Sequence, residues 1–331
     1  MQKFLVIQTA FIGDVVLATA LVEKLHQYYP ASNIDFVVRK GNESLLKNHP
    51  FIGEVLVWNK QDHKYRNLLA LLRYIRLKRY DTVINVQRFA ATGLLTAFSG
   101  AKKTIGFDKN PWSFLFTQKI KHIISNETNP LHEVERNQML IESITDNVAT
   151  KPRLYPSNAD YEKVKPLQFS NYICVAPTSV WFTKQFPKEK WISFMDRLPK
   201  NLQVYLLGAP SDALICDEIK TTSKNKQVEN LAGQLSFLQS AALQQKAVMN
   251  YVNDSAPMHF ASSVNAPVTA IYCSTVPSFG FGPLSDKKFI VQTKEYLPCK
   301  PCGLHGKKEC PLQHFKCGYT ITDEQLLETL F

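Results

Sequence analysis

Short apolar runs alternate with helix-like segments along the whole chain, and this alternation constrains the fold more than any other feature. The runs lie at 4–7, 34–38, 55–58 and 82–86 in the first half, and at 172–175, 204–207, 247–249 and 267–272 in the second. Between the first two runs, Leu17, Leu21 and Leu25 share one face of a helix. Apolar strands joined by helices are typical of a parallel sheet covered on both faces. The sequence therefore predicts an α/β protein.

A polar stretch with two prolines, T-K-P-R-L-Y-P-S-N-A-D (150–160), separates the two series of runs. It predicts a boundary between a first domain at 1–155 and a second at 156–331, and 331 residues suffice for two ordinary domains. In open parallel sheets ligands bind outside the carboxyl ends of the strands. We therefore expect a cleft between the domains, faced by strand ends of both. At the end of the chain, T-D-E-Q-L-L-E-T-L-F predicts a short helix with Thr322 and Gln325 as its capping box.

The chain is basic, with 39 Lys and Arg against 28 Asp and Glu. This excess favours an anionic partner, which is a nucleic acid, an acidic membrane surface or a phosphorylated small molecule. The first residues lack the apolar core and cleavage site of a signal peptide, and no apolar run approaches the ~20 residues of a membrane-spanning helix. We expect a cytoplasmic protein that touches a membrane only from outside.

The dipeptide Gly13-Asp14 follows the first predicted strand and opens the first predicted helix. An acid in a first helical turn often only complements the helix dipole. At the carboxyl end of a strand, the same carboxylate is also placed to accept a proton from a substrate. Gly13 would then provide the tight turn that exposes Asp14. Both interpretations stay open at this point.

The stretch V-N-D-S-A-P-M-H (252–259) places four polar residues and a proline after an apolar run. Asp254 and Ser255 suit the N-cap of a helix, and Pro257 suits its first turn because it has no N–H to leave unpaired. Free amides at a helix start form an anion site that suits a diphosphate. His259, one turn further, would lie near the same ligand.

A third polar segment, A-P-T-S-V-W-F-T-K-Q-F-P-K-E-K-W (176–191), also follows a predicted strand. Thr178, Ser179, Thr183 and Lys184 donate hydrogen bonds of the kind that anionic oxygens accept. A solvated loop explains the segment equally well when it is taken alone. Its position in the same half as 254–259 favours a phosphate site.

Four of the seven cysteines are grouped near the end of the chain, as Cys299, Cys302, Cys310 and Cys317. The spacing C-x2-C-x7-C-x6-C is compatible with a structural zinc held by four thiolates, which leave no open coordination position. Disulfide bonds are the main alternative, and a reducing cytoplasm disfavours them.

Several motifs together resemble the ADP-heptose:lipopolysaccharide heptosyltransferases of glycosyltransferase family 9. They are the early G-D, K-x-F-P-x-E-x-W, L-L-G-A-P at 206–210, N-D-S-A-P-M-H and the terminal L-P-C-K-P-C…C-P-L-Q-H-F-K-C. H-E-V-E-R-N at 132–137 also looks like an element of the family, without a chemical role that we can assign from sequence. The family's usual glycine after Asp-Ser is Ala256 in this chain.

The resemblance implies a GT-B fold of two Rossmann-like domains, with the acceptor mainly on the first and the nucleotide-sugar on the second. It implies an inverting transfer of heptose from ADP-heptose to Kdo or heptose of the lipopolysaccharide inner core, with Asp14 as the general base. Lys184 and the helix start 254–259, including Ala256, would hold the diphosphate. The sequence contains no Asp-x-Asp pair of the kind that metal-dependent transferases commonly use. We therefore expect that catalysis requires no cofactor and that any zinc is structural.

Residues 60–80 are strongly basic, and Arg66, Arg73 and Arg76 are candidates for the acceptor side. They would suit a phosphorylated lipid acceptor and the anionic inner leaflet of a membrane. Leu68, Leu71, Leu72 and Ile75 predict the buried side of the same helix. Two other functions remain open: another nucleotide-sugar transferase of this fold, and a zinc-containing nucleic-acid-binding protein. Paired strand-end anion sites favour an enzyme, so we expect no nucleic acid as a partner.

Overall fold

Two parallel β-sheets organise the chain, one in each half. In this computed structural model, which describes residues 1–330, one unit comprises Met1–Ser125 and Leu131–Tyr155. The other unit comprises Asn126–Pro130 and the residues from Pro156 onward. Phe331, the last residue of the predicted C-terminal helix, lies outside the described residues.

The first sheet has the strand order β3-β2-β1-β4-β5-β6, and all neighbouring strands pair in parallel. Its strands are β1 Lys3–Ile7, β2 Asn33–Arg39, β3 Ile52–Trp58, β4 Thr82–Asn85, β5 Lys103–Phe107 and β6 Gln118–Ile120. The helices of this unit are α1 Ile12–Tyr28, α2 Lys64–Lys78, α3 Ala90–Ala97 and α4 Glu133–Gln138. Leu17, Leu21 and Leu25 of α1 are fully buried, as their spacing predicts.

The second sheet repeats this order as β12-β11-β10-β7-β8-β9, again with parallel neighbours. Its strands are β7 Tyr172–Ala176, β8 Gln203–Leu206, β9 Val228–Asn230, β10 Met249–Asn253, β11 Val268–Tyr272 and β12 Lys288–Gln292. The helices are α5 Asn158–Val164, α6 Lys188–Asp196, α7 Ala213–Thr222, α8 Phe237–Lys246, α9 Ala256–Ser263, α10 Lys316–Tyr319 and α11 Asp323–Leu327. The Oε1 of Gln325 accepts from the backbone N–H of Thr322 (3.1 Å), which is one half of the predicted capping box of α11.

The strand order places a topological switch point in each sheet. The chain starts in the middle of a sheet, builds one side, and then crosses to the other side of the starting strand. The switch points lie between β1 and β4 and between β7 and β10. Ligands of open α/β sheets bind outside the carboxyl ends of strands at such points. The predicted base and the predicted diphosphate site both follow strands of this kind.

Four strands were not predicted by the apolar runs; three of them, β6, β9 and β12, lie at sheet edges, and β6 and β9 have only three residues each. β5, β6, β9 and β12 carry lysines, glutamines or a glutamate, so their sequences lack a continuous apolar run. The strand expected at 247–249 instead runs over Met249–Asn253. Asn250 interrupts its apolar pattern, because its buried Nδ2 donates to the carbonyls of Gln244 (3.0 Å) and Pro267 (2.8 Å).

Candidate active site

An ion pair joins the loops that follow two neighbouring strands of the second sheet. The Nζ of Lys184, at the end of a short 3-10 turn after β7, lies 2.7 Å from the Oδ2 of Asp254, which follows β10. The two side chains are only 16% and 9% exposed. The same carboxylate oxygen accepts from the hydroxyl of Thr275, just after β11 (2.7 Å). A carboxylate repels a diphosphate, so we interpret Asp254 as the group that orients the Lys184 ammonium.

Asn253 fastens the end of β10 to the loop that follows β7. Its Oδ1 accepts from the backbone N–H of Phe186 (2.9 Å), and its Nδ2 donates to the carbonyls of Ala176 and Thr178 (3.3 Å each). The side chain is fully buried. Because buried amides need partners for both ends, these contacts explain a polar residue at the end of an apolar strand.

Helix α9 begins at this strand end without a side-chain cap. Its N-cap is Ser255, whose hydroxyl donates to the carbonyl of Asn253 (3.4 Å) and not to the first turn. Pro257 contributes no N–H, and Ala256 has helical backbone that any L residue adopts without strain. The positive end of the helix dipole is therefore left for an anion. His259 lies one turn further and is buried at 5% exposure.

The three predicted hydroxyl residues of the loop after β7 have different surroundings. Thr178 and Ser179 are half-buried, and the carbonyl of Ser179 accepts from the Nε2 of Gln185 (2.7 Å). Thr183 is buried, and its hydroxyl accepts from the backbone N–H of Lys307 (2.8 Å) and from the hydroxyl of Ser274 (2.9 Å). The hydroxyl of Thr183 thus holds the lysine loop against Ser274 and Lys307.

The cysteine-rich tract (299–317) packs directly against the lysine loop. The carbonyl of Lys307 accepts from the backbone N–H of Thr183 (3.1 Å). A Cβ added at Gly306 would lie 2.5 Å from the Cβ of Trp181 and 2.9 Å from the Cγ of Lys184. Any side chain at Gly306 would therefore displace the loop that carries Lys184.

The four thiols of this tract lie near one another but are not arranged to coordinate one metal ion in this structure. The Sγ of Cys299 lies 3.9 Å from the Nε2 of His314, and the Sγ of Cys302 donates to the carbonyl of Cys299 (3.2 Å). Burial, reinforced by the neighbouring thiols, raises the pKa of Cys302, and it raises the pKa of Cys317 to about 12. Among residues 1–330, no three His, Cys, Asp or Glu side chains are arranged to hold a metal ion. The structural zinc at these cysteines, Cys310 included, stays a prediction.

In the first unit, Asp14 occupies the first turn of α1. Its Oδ2 accepts from the backbone N–H of Phe11, the N-cap (3.2 Å). Gly13 has helical backbone, so the turn before Asp14 is formed by residues 8–11 and not by the glycine. The carboxylate therefore caps its helix, and it stands at the carboxyl end of the central strand β1, where a base is expected.

A pocket of about 480 Å³ opens at the carboxyl ends of β1, β3 and β4 in the same unit. Its lining includes four aromatic and two basic side chains, which are Trp58, Tyr65, Phe89, Trp112, Lys60 and Lys64. The Nζ of Lys60 donates to the carbonyl (2.7 Å) and the hydroxyl (3.1 Å) of Thr9. Burial lowers the pKa of Lys60 to about 8, and the positive charges of Arg39 and Lys64 contribute. Aromatic faces beside amines suit an acidic carbohydrate.

Helix α2 borders this pocket and carries the predicted basic face. Leu68, Leu71 and Ile75 are buried, as predicted, and Leu72 is half-buried. Arg66, Arg73 and Arg76 are exposed, together with Tyr65, Leu69 and Leu77. The Nη1 of Arg76 donates to the carbonyl of Phe98 (3.1 Å). The outer face of α2 is thus both basic and apolar.

Comparison with known proteins identifies the family of the chain. The sequence profile of glycosyltransferase family 9 (heptosyltransferase) matches residues 68–315. The chain belongs to glycosyltransferase family 9. The family assignment makes it a glycosyltransferase, and it confirms the resemblance carried by the motifs.

Relatives in family 9 match over most of their length. The chain is 29% identical to lipopolysaccharide heptosyltransferase 3 of Escherichia coli K12, over 80% of both proteins. The solved structure of E. coli ADP-heptose lps heptosyltransferase II is similar with a TM-score of 0.81 at 22% identity, covering 99% of this chain and 97% of that one. The structure of E. coli heptosyltransferase WaaC with ADP gives a TM-score of 0.75 at 16% identity, covering 100% of both. The predicted α/β fold with two Rossmann-like domains of the GT-B class is confirmed.

Sequence reasoning about this family 9 chain missed residues that support the predicted site. Thr275 and Ser274 follow β11, which neighbours β10 in the sheet, so their position at a strand end was a usable signal. Lys307 and Gly306 belong to the cysteine-rich tract and contact the lysine loop, from which they are more than 100 residues distant in sequence. Local patterns contain no signal for that long-range contact.

Proposed function

We propose that this family 9 enzyme transfers heptose from ADP-heptose to the inner core of lipopolysaccharide, on Kdo or on a first heptose. The observation that carries the proposal is the Lys184–Asp254 pair beside the uncapped start of α9, at the switch point of the second sheet. Similarity over 80% and 88% of the chain to proteins named lipopolysaccharide heptosyltransferase 3 and 2 supports the same donor and acceptor class.

The second unit is proposed to bind the donor. Departure of ADP places negative charge on the diphosphate, and fixed donors in a partly buried site stabilise that charge. Lys184 supplies a positive charge that Asp254 orients, and the α9 start supplies the positive end of a helix dipole. Thr178, Ser179 and Ser255 add hydroxyls nearby. These groups are of the kinds that stabilise negative charge on a departing diphosphate, so we propose that no metal is required.

The first unit is proposed to bind the acceptor and to supply the base. The acceptor hydroxyl oxygen forms a bond to the anomeric carbon as the bond from that carbon to the ADP oxygen breaks. The hydroxyl proton passes to the carboxylate of Asp14, and the departing electron pair stays with ADP. A single displacement of this kind inverts the anomeric centre. The aromatic and basic pocket beside β1 suits a sugar with an acidic group.

Nucleotide binding and transfer together test this proposal. Calorimetry with EDTA present is expected to show that ADP binds and that UDP binds at least about tenfold more weakly. ADP-heptose and a Kdo-bearing lipid A acceptor are then expected to yield ADP and one added heptose in equal amounts. UDP-selective binding would contradict the donor, and transfer only after metal addition would contradict metal independence.

The outer face of α2 is proposed to contact the cytoplasmic, anionic surface of the membrane that holds the acceptor. Among the described residues 1–330, no helix has the length and apolar character needed to cross a bilayer. Arg66, Arg73 and Leu77 project from α2 into solvent. Each basic residue near an anionic surface contributes about 1 kcal/mol. We expect the protein to sediment with vesicles containing phosphatidylglycerol at low salt and to stay in solution with neutral vesicles. Equal sedimentation with both would contradict an electrostatic contact.

A further inference from the structure

The segment H-E-V-E-R-N (132–137) begins helix α4 and contains neither the proposed base nor a proposed diphosphate ligand. His132 is the N-cap, and its Nδ1 accepts from the backbone N–H of Val134 (3.2 Å). The carboxylate of Glu135 accepts from the backbone N–H of His132 (2.7 Å). These contacts explain how the helix starts. They leave Glu133 and Arg136 unexplained.

Glu133 and Arg136 form a buried ion pair one turn apart on α4. The two residues are 8% and 6% exposed, and the Nη2 of Arg136 contacts the Oε2 of Glu133. The Nη1 of Arg136 donates to the carbonyl of Ile123 (3.0 Å). Within residues 1–330, the buried Nε of Arg136 has no hydrogen-bond partner. Burying such a pair is costly compared with apolar packing, so a six-residue helix does not need it for stability alone.

The pair lies on a helix that neighbours the helix of the proposed base. Helix α4 packs against α1, whose first turn carries Asp14. Burial lowers the pKa of Arg136, the negative charge of Asp14 raises it, and the positive charge of Arg88 lowers it. Arg136 and Asp14 are therefore within electrostatic reach of each other, and the same interaction acts on Asp14.

We propose that Arg136 is a positioning residue for Asp14: its buried guanidinium holds the Asp14 carboxylate ionised and ready to accept the acceptor proton, and Glu133 limits this effect. The inference rests on the proposed role of Asp14 as base. Arg136 acts on the carboxylate and not on substrate. Glu133 partly neutralises the guanidinium, so that Asp14 still gains a proton during the reaction.

Other charged groups near this pair come from three further segments. Arg88 follows β4, Asp108 and Lys109 follow β5, and all three are exposed and screened by solvent. His122 follows β6, and burial, assisted by Arg136 and Arg88, lowers its pKa. His122 is therefore neutral near pH 7. Of the charged groups named for this region, Glu133 and Arg136 are the buried ones.

The test compares Arg136→Gln with Glu133→Gln in the full-length protein, using kcat of heptose transfer as a function of pH. The acid limb of this profile reports protonation of the base. Loss of the nearby positive charge in Arg136→Gln is expected to move the acid limb to higher pH by about one unit. Loss of the negative charge in Glu133→Gln is expected to move it to lower pH. The double variant should return it close to the wild-type position, and Arg136→Lys should leave it nearly unchanged.

Opposite shifts distinguish this inference from a purely structural role, which predicts loss of activity in both variants with no shift. Shifts in one direction, or none, would overturn the inference. If Arg136→Gln does not fold, the downward shift in Glu133→Gln decides alone. If the wild type transfers no heptose, or if Asp14→Asn keeps the same acid limb, the proposed function fails instead.

Discussion

Replacement of Asp14 by asparagine is expected to lower kcat for heptose transfer by about 10²–10⁴-fold, which is the usual contribution of a general base. The amide has nearly the same shape as the carboxylate but cannot take a proton from the acceptor hydroxyl. Its Oδ1 still accepts from the backbone N–H of Phe11, so the start of α1 is preserved. Affinity for ADP should change little, because the proposed diphosphate site lies in the other unit. Steady-state kinetics and calorimetry on one preparation measure both quantities.

Asp160 provides a matched control for this substitution. It occupies the same position in the first turn of α5, where its Oδ2 accepts from the backbone N–H of the N-cap, Ser157 (2.8 Å). Asp160→Asn therefore removes the same charge from the same local geometry without touching the proposed base. A change in kcat of less than about threefold is expected for Asp160→Asn. If Asp14→Asn behaves like this control, Asp14 is only a helix cap and the base must be sought elsewhere.

Most of the fold could be predicted from the sequence because the central strands of a covered parallel sheet are mostly apolar. β1, β4 and β7 each coincide with one of the apolar runs, and the two series of runs predicted two α/β domains. That these domains are Rossmann-like was implied by the family resemblance. β9 and β6 have three residues each and expose polar side chains, so no such requirement shapes their sequences. Strands of this kind are specified by their neighbours and not by their own pattern.

The candidate site likewise contains residues that the sequence could predict and residues that it could not. Residues that follow the central strands, such as Asp14, Lys184 and Asp254, could be named from their position alone, since strand ends of an α/β sheet converge on ligands. The residues that these side chains contact could not be named from the sequence. Nothing local indicates that Asp254 pairs with Lys184, or that Gly306 must lack a side chain to admit the lysine loop. Such contacts depend on packing between segments more than 50 residues apart.

Replacement of Lys184 by alanine is expected to lower kcat by about 10²–10³-fold, which is the typical loss when one fixed donor to a developing anion is removed. The ammonium interacts with charge that grows on the diphosphate as the anomeric bond breaks, so kcat should fall by more than the affinity for ADP-heptose does. The substitution also leaves the carboxylate of Asp254 buried without its ammonium partner, which lowers stability. Thermal unfolding must therefore accompany the kinetics.

Two further variants separate the chemical role of Lys184 from its structural one. Lys184→Met combined with Asp254→Asn removes both charges of the pair, so the loss of stability should be largely recovered while the loss of kcat remains. Lys188→Ala is the matched control, because Lys188 is a lysine four residues away whose exposed ion pair with Glu218 (2.7 Å) faces solvent. It should leave kcat and ADP affinity within about twofold. If the double variant regains wild-type kcat, or if Lys188→Ala loses as much as Lys184→Ala, leaving-group stabilisation by Lys184 is wrong. In that event the start of α9 would have to carry the diphosphate alone.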